Sequence, residues 1–332
     1  MKAYELRTES GVTTLSMVER AQPVAGRGEV VVRMRAASLN YRDLIISKAP
    51  RSAPLIPLCD GAGEVVEAGP GVSDIKAGDR VAGTYFQDWV SGPLNPGVLR
   101  TVLGQNIDGV LAEYVALKEH GVVRVPAHLS FEEAATLPCA ALTAWQALVT
   151  EGRIKAGDTV VVMGTGGVSI FALQFALMCG ARVIATTGTD SKLERLRALG
   201  AAAVINYKTT PEWDKTVLEL TGGVGADHIV EVGGAGTLPR SLRAVRHGGF
   251  VSLIGVLGGA GEKFSPGSII LKGVRLQGIF VGSREMFEDM NRAIALSAMR
   301  PVVDRTYQFE EAAAALAFLE SGRHFGKICI RV

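Results

Sequence analysis

The sequence predicts an α/β protein of two domains, with a doubly wound parallel sheet of six strands inserted into a mainly β domain. Three observations carry that prediction. Strand-like and helix-like patterns alternate from residue 159 to about 281, the first of these strands runs into a glycine-rich turn, and the segments on either side have a different texture. At 332 residues the chain is also longer than one core usually organises. The expected division is 1–128 plus 283–332 for the mainly β domain and 129–282 for the inserted one.

Residues 29–37 are β-branched and loosely alternating. Residues 61–66, 80–84, 112–117 and 122–125 continue as short strands between turns such as Gly69-Pro70-Gly71 and Lys76-Ala77-Gly78-Asp79. The Gly-, Pro-, Asn- and Gln-rich stretch 87–110 reads as a long loop or a pair of short helices, either shaping a substrate entrance or forming a surface insertion. Ser130 and Glu133 have capping-box spacing and open a helix that continues through 134–149. Strands are then expected at 159–162, 182–187, 203–206, 228–232, 250–254 and 274–281, and helices at 168–178, 190–199, 211–221 and 237–246. Repeated units of this length imply a parallel sheet covered on both faces. Helices at 285–299 and 309–320 and a strand at 327–332 complete the first domain.

A net charge of +2 with scattered cations excludes a nucleic-acid surface or a basic membrane face. The uncharged run 159–181 is long enough to span a bilayer. Its three glycines within four residues, with Thr165, Ser169 and Gln174, argue for a buried strand–turn–helix instead. Cys59, Cys139, Cys179 and Cys329 are far apart and form no C-x-x-C pair, as expected of reduced thiols. No secretory h-region is visible at the N-terminus, and a cytoplasmic protein is expected. The five histidines show no pairing that suggests a ligand set or triad, and are expected in turns or at the surface.

The strand 159–162 meets Gly164-Thr165-Gly166-Gly167-Val168-Ser169 and then a helix. That order presents backbone N–H groups and a helix N-terminus to a phosphate, as in dinucleotide sites. Ser169 stands where the fingerprint has its third glycine. An NAD-specific site places an acid at the end of the second strand. Here that strand ends Thr186-Thr187-Gly188, and Asp190 comes three residues late, where it reads as a helix N-cap. Lys192 in the first helical turn would be unfavourable unless it met an anion such as a 2′-phosphate.

Together, Ala37-Ser-Leu-Asn-Tyr-Arg-Asp43, Cys59-Asp-Gly-Ala-Gly-Glu-Val-Val66, Lys76-Ala-Gly-Asp-Arg-Val81, Leu137-Pro-Cys-Ala-Ala-Leu-Thr-Ala-Trp145, the Gly164 loop, Gly248-Gly249, Leu253-Ile-Gly-Val256 and Gly326-Lys327 resemble the medium-chain dehydrogenase/reductase superfamily. The resemblance covers essentially the whole chain and is to the zinc-independent, quinone-oxidoreductase-like branch. It implies a Rossmann-type domain inserted in a GroES-like catalytic domain. Where zinc-dependent relatives place Cys, His and Cys ligands, this chain has Asn40, Cys59 and Cys139, with Asp60 after Cys59. An amide is a poor zinc ligand, and no metal is expected.

The resemblance implies that Tyr41 polarises the acceptor carbonyl and that Asn40 holds the nicotinamide ribose or the substrate. Asp43 would anchor the loop, and Arg42 is expected to point away from the cleft. The implied cofactor contacts are Asn40, Thr143, Gly164, Thr165, Gly166, Gly167, Val168, Thr187, Lys192, Tyr207, Gly255, Val256, Leu257, Phe280, Val281, Gly282 and Arg323, with Lys327 in the returning C-terminal segment. Lys192 and Tyr207 favour NADP(H) over NAD(H). The expected activity is zinc-free hydride transfer from NADPH to a quinone, an α,β-unsaturated ketone or an aldehyde. The alternatives are an alcohol dehydrogenase with a degenerate zinc site at Cys59 and Cys139, and a non-catalytic NADP-binding sensor. The apolar strand 274–281 is expected at the sheet edge, pairing with its twin in a homodimer.

Overall fold

The computed structural model describes residues 1–255 and 266–332. The chain divides into two compact units, Met1–Leu142 with Val281–Val332 and Thr143–Phe280. The first boundary lies further along the chain than residue 128, since the helical run that opens at Phe131 belongs to unit 1 as far as Leu142.

In chain order the strands are β1 (Lys2–Glu9), β2 (Val12–Glu19), β3 (Glu29–Ser38), β4 (Asp60–Ala68), β5 (Arg80–Gly83), β6 (Tyr114–Lys118), β7 (Val122–Arg124), β8 (Thr159–Met163), β9 (Arg182–Thr187), β10 (Ala203–Asn206), β11 (Ala226–Glu231), β12 (Val245–Leu253), β13 (Arg275–Gly278), β14 (Val303–Gln308) and β15 (Lys327–Arg331). The hairpin β1–β2 and strand β14 escape a pattern reading, because β2 is largely exposed and has no apolar alternation to betray it.

Unit 1 is built on a seven-stranded sheet in the order β14-β15-β3-β4-β5-β7, with β6 also paired to β3. Strand β3 is buried along most of its length by Val30, Val31, Val32, Met34, Ala36 and Ala37, and it is the sheet's backbone. The last strand of the chain lies beside it, with Cys329 opposite Ser38. On its other side Ser38 faces Asp60 of β4. Residues 40, 60 and 327 are thus brought together by register alone.

The stretch 87–110 is a long, largely irregular segment with one short helical turn (Val98–Thr101); much of it is exposed, while Val98, Val102, Leu103 and Val110 are buried. Gly104 and Gly109 press onto the backbone of Leu58; a Cβ on Gly109 would come within 2.0 Å of the Leu58 carbonyl oxygen. They clamp Leu58 in the left-handed region (φ 68°), a costly place for a non-glycine residue immediately before Cys59.

In unit 2 six parallel strands follow the order β10-β9-β8-β11-β12-β13, the doubly wound arrangement whose switch point falls between β8 and β11. Val161, Ile184, Ile229 and Val251 pack against Trp213, Val217, Leu238 and Leu242 on one face. The helix expected over 134–149 is interrupted. It runs as Phe131–Ala135, a π-turn (Leu137–Ala141), Leu142–Trp145 and a second π-turn (Gln146–Thr150). Among the described residues no helix is long and apolar enough to cross a membrane.

Candidate active site

In unit 1 the chain leaves β3 at Ser38, whose hydroxyl donates to the Ile328 carbonyl at 3.0 Å. Asn40 then caps the helix Tyr41–Lys48, its own N–H donating to Asp43 Oδ2 at 2.7 Å. Asp43 thus anchors the turn. Burial pushes its carboxyl up to about 6 against the pull of Arg42 and the Asn40 N–H.

Lys327 enters from β15. Its ammonium is buried, and it donates to the Leu39 carbonyl and to Asn40 Oδ1, each at 2.6 Å. It also lies 3.6 Å from Asp60 Oδ2, an oxygen with no hydrogen-bond partner. With Oδ1 committed to Lys327, the Asn40 amide must present Nδ2 on its other side, and that nitrogen points at Cys59 Sγ, 3.7 Å away. Cys59 donates to Asp60 Oδ1 at 3.1 Å. Burial raises the Asp60 carboxyl, opposed by Lys327, and it pushes the Cys59 thiol well above the usual range, with Cys139 and Asp60 acting in the same direction. Cys139, half-buried in the first π-turn, completes the group. The donor atoms of Cys59, Asp60 and Cys139 all lie within 4.8 Å of one another.

Arg42 does not point away from this group, as alternation suggested. It is largely buried, bonds Asp43 Oδ1 at 3.2 Å and the Leu103 carbonyl at 3.3 Å, and lies over the Tyr85 ring at 5.2 Å. A helix turns 100° per residue, so strand-like alternation does not apply there. Tyr41, at the first helical position, is 52% exposed and takes no part in the Asn40–Lys327–Asp60 bonds. Tyr85 is the phenol that packs with Arg42, and its hydroxyl is raised by burial. No sequence motif surrounds Tyr85, and only the fold reveals it.

Gly282 and Val281 lie in unit 1. A Cβ on Gly282 would meet Leu142 at 2.8 Å, and Val281 adopts φ 59°, a genuine outlier for a β-branched residue. Arg323 sits at the surface, over the Phe318 ring at 5.6 Å.

In unit 2 the glycine loop follows β8. Gly164 takes φ 76° and its N–H donates to the Thr186 carbonyl at 2.9 Å. Gly166 is the N-cap of the helix Gly167–Met178 and offers no capping side chain, so the first N–H groups of that helix are left for a ligand. Nothing lies within 4 Å of a Cβ built on either Gly164 or Gly166. Thr165 is buried beside them, and Val168 stands in the first helical turn. Ser169 donates to the Met163 carbonyl at 2.6 Å, so it ties helix to strand where a third glycine would merely allow close packing.

At the end of β9, Thr187 is buried and its carbonyl accepts from the Tyr207 N–H at 3.0 Å. Tyr207 covers Gly188, where a Cβ would lie 2.5 Å from its hydroxyl. Asp190 is not an N-cap. It opens a short helical turn with Lys192 (Asp190–Lys192), and its Oδ1 accepts from Asn206 Nδ2 at 2.6 Å. Thr143 is buried and Phe280 is about half-exposed. Gly255 lies where a Cβ would strike the Val232 carbonyl at 2.2 Å, while Val256 and Leu257 lie outside the described residues.

Two buried polar groups on β11 stand apart from the expectations, Glu231 because no sequence signal marks it and His228 because it was expected in a turn or at the surface. Glu231 is fully buried at the end of β11 and accepts from the Gly233 N–H (2.7 Å), the Gly234 N–H (3.0 Å), the Thr237 hydroxyl (2.6 Å) and the Ser241 hydroxyl. His228 is not a surface residue: it is buried and its Nε2 lies 3.0 Å from Asp158 Oδ2.

Residues 26–127 match the family model described as alcohol dehydrogenase GroES-like domain, and residues 167–296 match the zinc-binding dehydrogenase model. A zinc-type alcohol dehydrogenase-like protein of Schizosaccharomyces pombe is 43% identical over 92% of this chain and 91% of its own length. The chain is a medium-chain dehydrogenase/reductase. As such it is an NAD(P)H-dependent oxidoreductase, with a GroES-like domain and a Rossmann domain. Among solved structures, this medium-chain dehydrogenase/reductase is similar to a Sinorhizobium meliloti 1021 protein assigned to the alcohol dehydrogenases (42% identity, TM-score 0.92). It is also similar to an NAD-dependent alcohol dehydrogenase (35%, 0.90); both comparisons cover 100% of each chain.

Proposed function

We propose that this enzyme reduces a small carbonyl-bearing acceptor, a quinone, an α,β-unsaturated ketone or an aldehyde, using NADPH and no catalytic metal. The observation that carries the reading is Lys327. A buried ammonium bonded to Asn40 and paired with Asp60 supplies positive charge where zinc enzymes of this family hold their metal.

The donor set fits zinc poorly. Asn40 has both ends of its amide engaged, the Cys59 thiol is itself a hydrogen-bond donor, and Asp60 is already paired with a fixed cation. A divalent ion on Asp60 would sit beside that ammonium in a low-dielectric interior. A second reading, alcohol oxidation with zinc on Cys59, Asp60 and Cys139, draws on the 4.8 Å proximity of those three donors. Metal analysis decides between them, since about one zinc per chain excludes the first reading.

NADPH fits the open space at Gly164 and Gly166 and the uncapped helix behind them, which would hold its pyrophosphate. When bound, its nicotinamide supplies the hydride. Gly188, with Tyr207 lying over it, stands where an acid would read a ribose 2′-OH, and Lys192 adds a cation suited to a 2′-phosphate. In unit 1, Lys327 holds Asn40 Oδ1, which leaves Nδ2 as the donor end of the amide, engaged only by the long 3.7 Å contact to Cys59 Sγ that an acceptor oxygen would replace. That nitrogen stabilises the oxyanion that grows as the acceptor is reduced. Tyr41, a half-exposed residue at the start of the same helix, is the other candidate donor.

The reading is tested by following NADPH oxidation against a panel of quinones, enones and aldehydes. Asn40→Ala should lower kcat by roughly 100–1000-fold, the order expected on losing one oxyanion donor, whereas Tyr41→Phe at full turnover removes Tyr41 from the mechanism. Tight NADPH binding without turnover on any acceptor would favour a sensor role. Equal KM values for NADH and NADPH would overturn the cofactor assignment.

The reading extends to a cytoplasmic homodimer paired through residues 274–281. Among the described residues β13 is bonded on one side only, to β12, and the helix Gly267–Lys272 exposes Ile270 and Leu271. Light scattering at twice the 35.0 kDa chain mass tests the dimer.

A further inference from the structure

We infer that Cys59 and Cys139 form a reversible dithiol–disulfide pair, and that peroxide oxidation of this pair switches the enzyme off. The inference rests on the zinc-free reading above, because bound zinc would occupy both sulfurs.

The two sulfurs come from distant parts of the chain, one from the residue before β4 and one from the π-turn Leu137–Ala141 packed against that strand. They nevertheless lie within 4.8 Å of each other. Closing to a disulfide requires about 2 Å between sulfurs, which is a side-chain rotation with a modest adjustment of the turn. A π-turn carries one residue more than an α-turn, and it is where a helix most readily gives.

The partners divide the chemistry. Cys139 is half-buried and so open to a small oxidant, whereas Cys59 and Cys329 are buried. Attack of the Cys139 sulfur on a hydroperoxide breaks the O–O bond and gives Cys139 sulfenic acid, the thiol proton leaving with the released water or alcohol. Cys59 then attacks the sulfenic sulfur and a second water leaves. The Cys59 proton, held toward Asp60 Oδ1 by their hydrogen bond, is relayed to the departing hydroxyl and leaves in that water. Two thiols are oxidised by two electrons and one peroxide is reduced. A thiol such as glutathione reverses the step by exchange. The disulfide removes the sulfur toward which Asn40 Nδ2 points and fixes the π-turn to β4, so the donor at position 40 is displaced.

The experiment treats the purified, metal-analysed enzyme with hydrogen peroxide at low molar excess, then alkylates and digests it. The expected result is a loss of 2 Da, a peptide pair joining Cys59 to Cys139, and a fall from four titratable thiols to two in denaturant. At least tenfold loss of NADPH turnover should follow, restored by dithiothreitol. Cys139→Ser and, separately, Cys59→Ala should abolish the mass change, while Cys179→Ser should keep it. A zinc-free enzyme that retains four thiols, or that gains oxygen at Cys139 without the crosslink, overturns the pair and leaves the reductase reading intact. About one zinc per chain overturns both.

Discussion

Lys327 and Asn40 are joined by a 2.6 Å hydrogen bond across 287 residues of chain, and the same ammonium is the sole cation within 4 Å of Asp60 among the described residues. Removing it should be costly. In Lys327→Met the Asp60 carboxylate is left buried without a counter-charge, a change worth about 3–5 kcal/mol. Urea unfolding should show this loss, and adding Asp60→Asn should recover a large part of it. A single and a double variant of equal stability would show that the pair carries no such energy.

Ser169→Ala should cost about 1 kcal/mol, the usual net worth of a hydrogen bond, since it frees the Met163 carbonyl. Its KM for NADPH should stay within twofold, because the hydroxyl faces the strand and not the loop. A large change in KM would mean that Ser169 reaches the cofactor.

His228 predicts an acid sensitivity that can be located. Burial lowers its affinity for a proton, against the opposite pull of Asp158, so the folded protein keeps the ring neutral where the unfolded chain, titrating near 6.5, takes a proton up. The unfolded state then binds more protons, and stability falls as pH drops through about 6.5, by at most about 1.4 kcal/mol per pH unit. Denaturation midpoints between pH 7.5 and 5.5 should show the fall, and His228→Gln should flatten it. An unchanged profile in the variant would assign the acid sensitivity elsewhere.

Gly188→Ala should displace Tyr207, because the added carbon would lie 2.5 Å from its hydroxyl. The expected result is a several-fold rise in KM for NADPH with little change in unfolding free energy, as Tyr207 is 43% exposed and free to swing. In a Tyr207→Ala background the same substitution should have no further effect. If it still raises KM there, Gly188 contacts the cofactor directly.

The inserted sheet was largely legible. Its strands are buried β-branched runs, and its glycine turn stands between the first strand and a helix, the order found in dinucleotide sites. Strand β13 is shorter than the apolar run 274–281 suggested, because pairing with β12 ends at Gly278. The site in unit 1 was legible only in part. Asn40, Cys59 and Cys139 announce themselves by motif, but Lys327 becomes the partner of Asn40 through an antiparallel register that no local pattern records. Glu231 and His228 were unreadable for a related reason. Each is a polar residue inside an apolar strand, and what satisfies it lies on another element.

The strand order of unit 1 has a consequence for the ribosome. Strand β15, which carries Lys327, is the last to be made, yet it stands between β14 and β3 in the sheet. At about 5–20 residues per second, the 287 residues separating Asn40 from Lys327 take roughly 15–60 s to translate. Throughout that interval β3 has an open edge and Asp60 has no cation. Unit 2 is complete before that edge is closed. A nascent chain therefore carries every strand of unit 2 while the sheet of unit 1 still lacks β14 and β15.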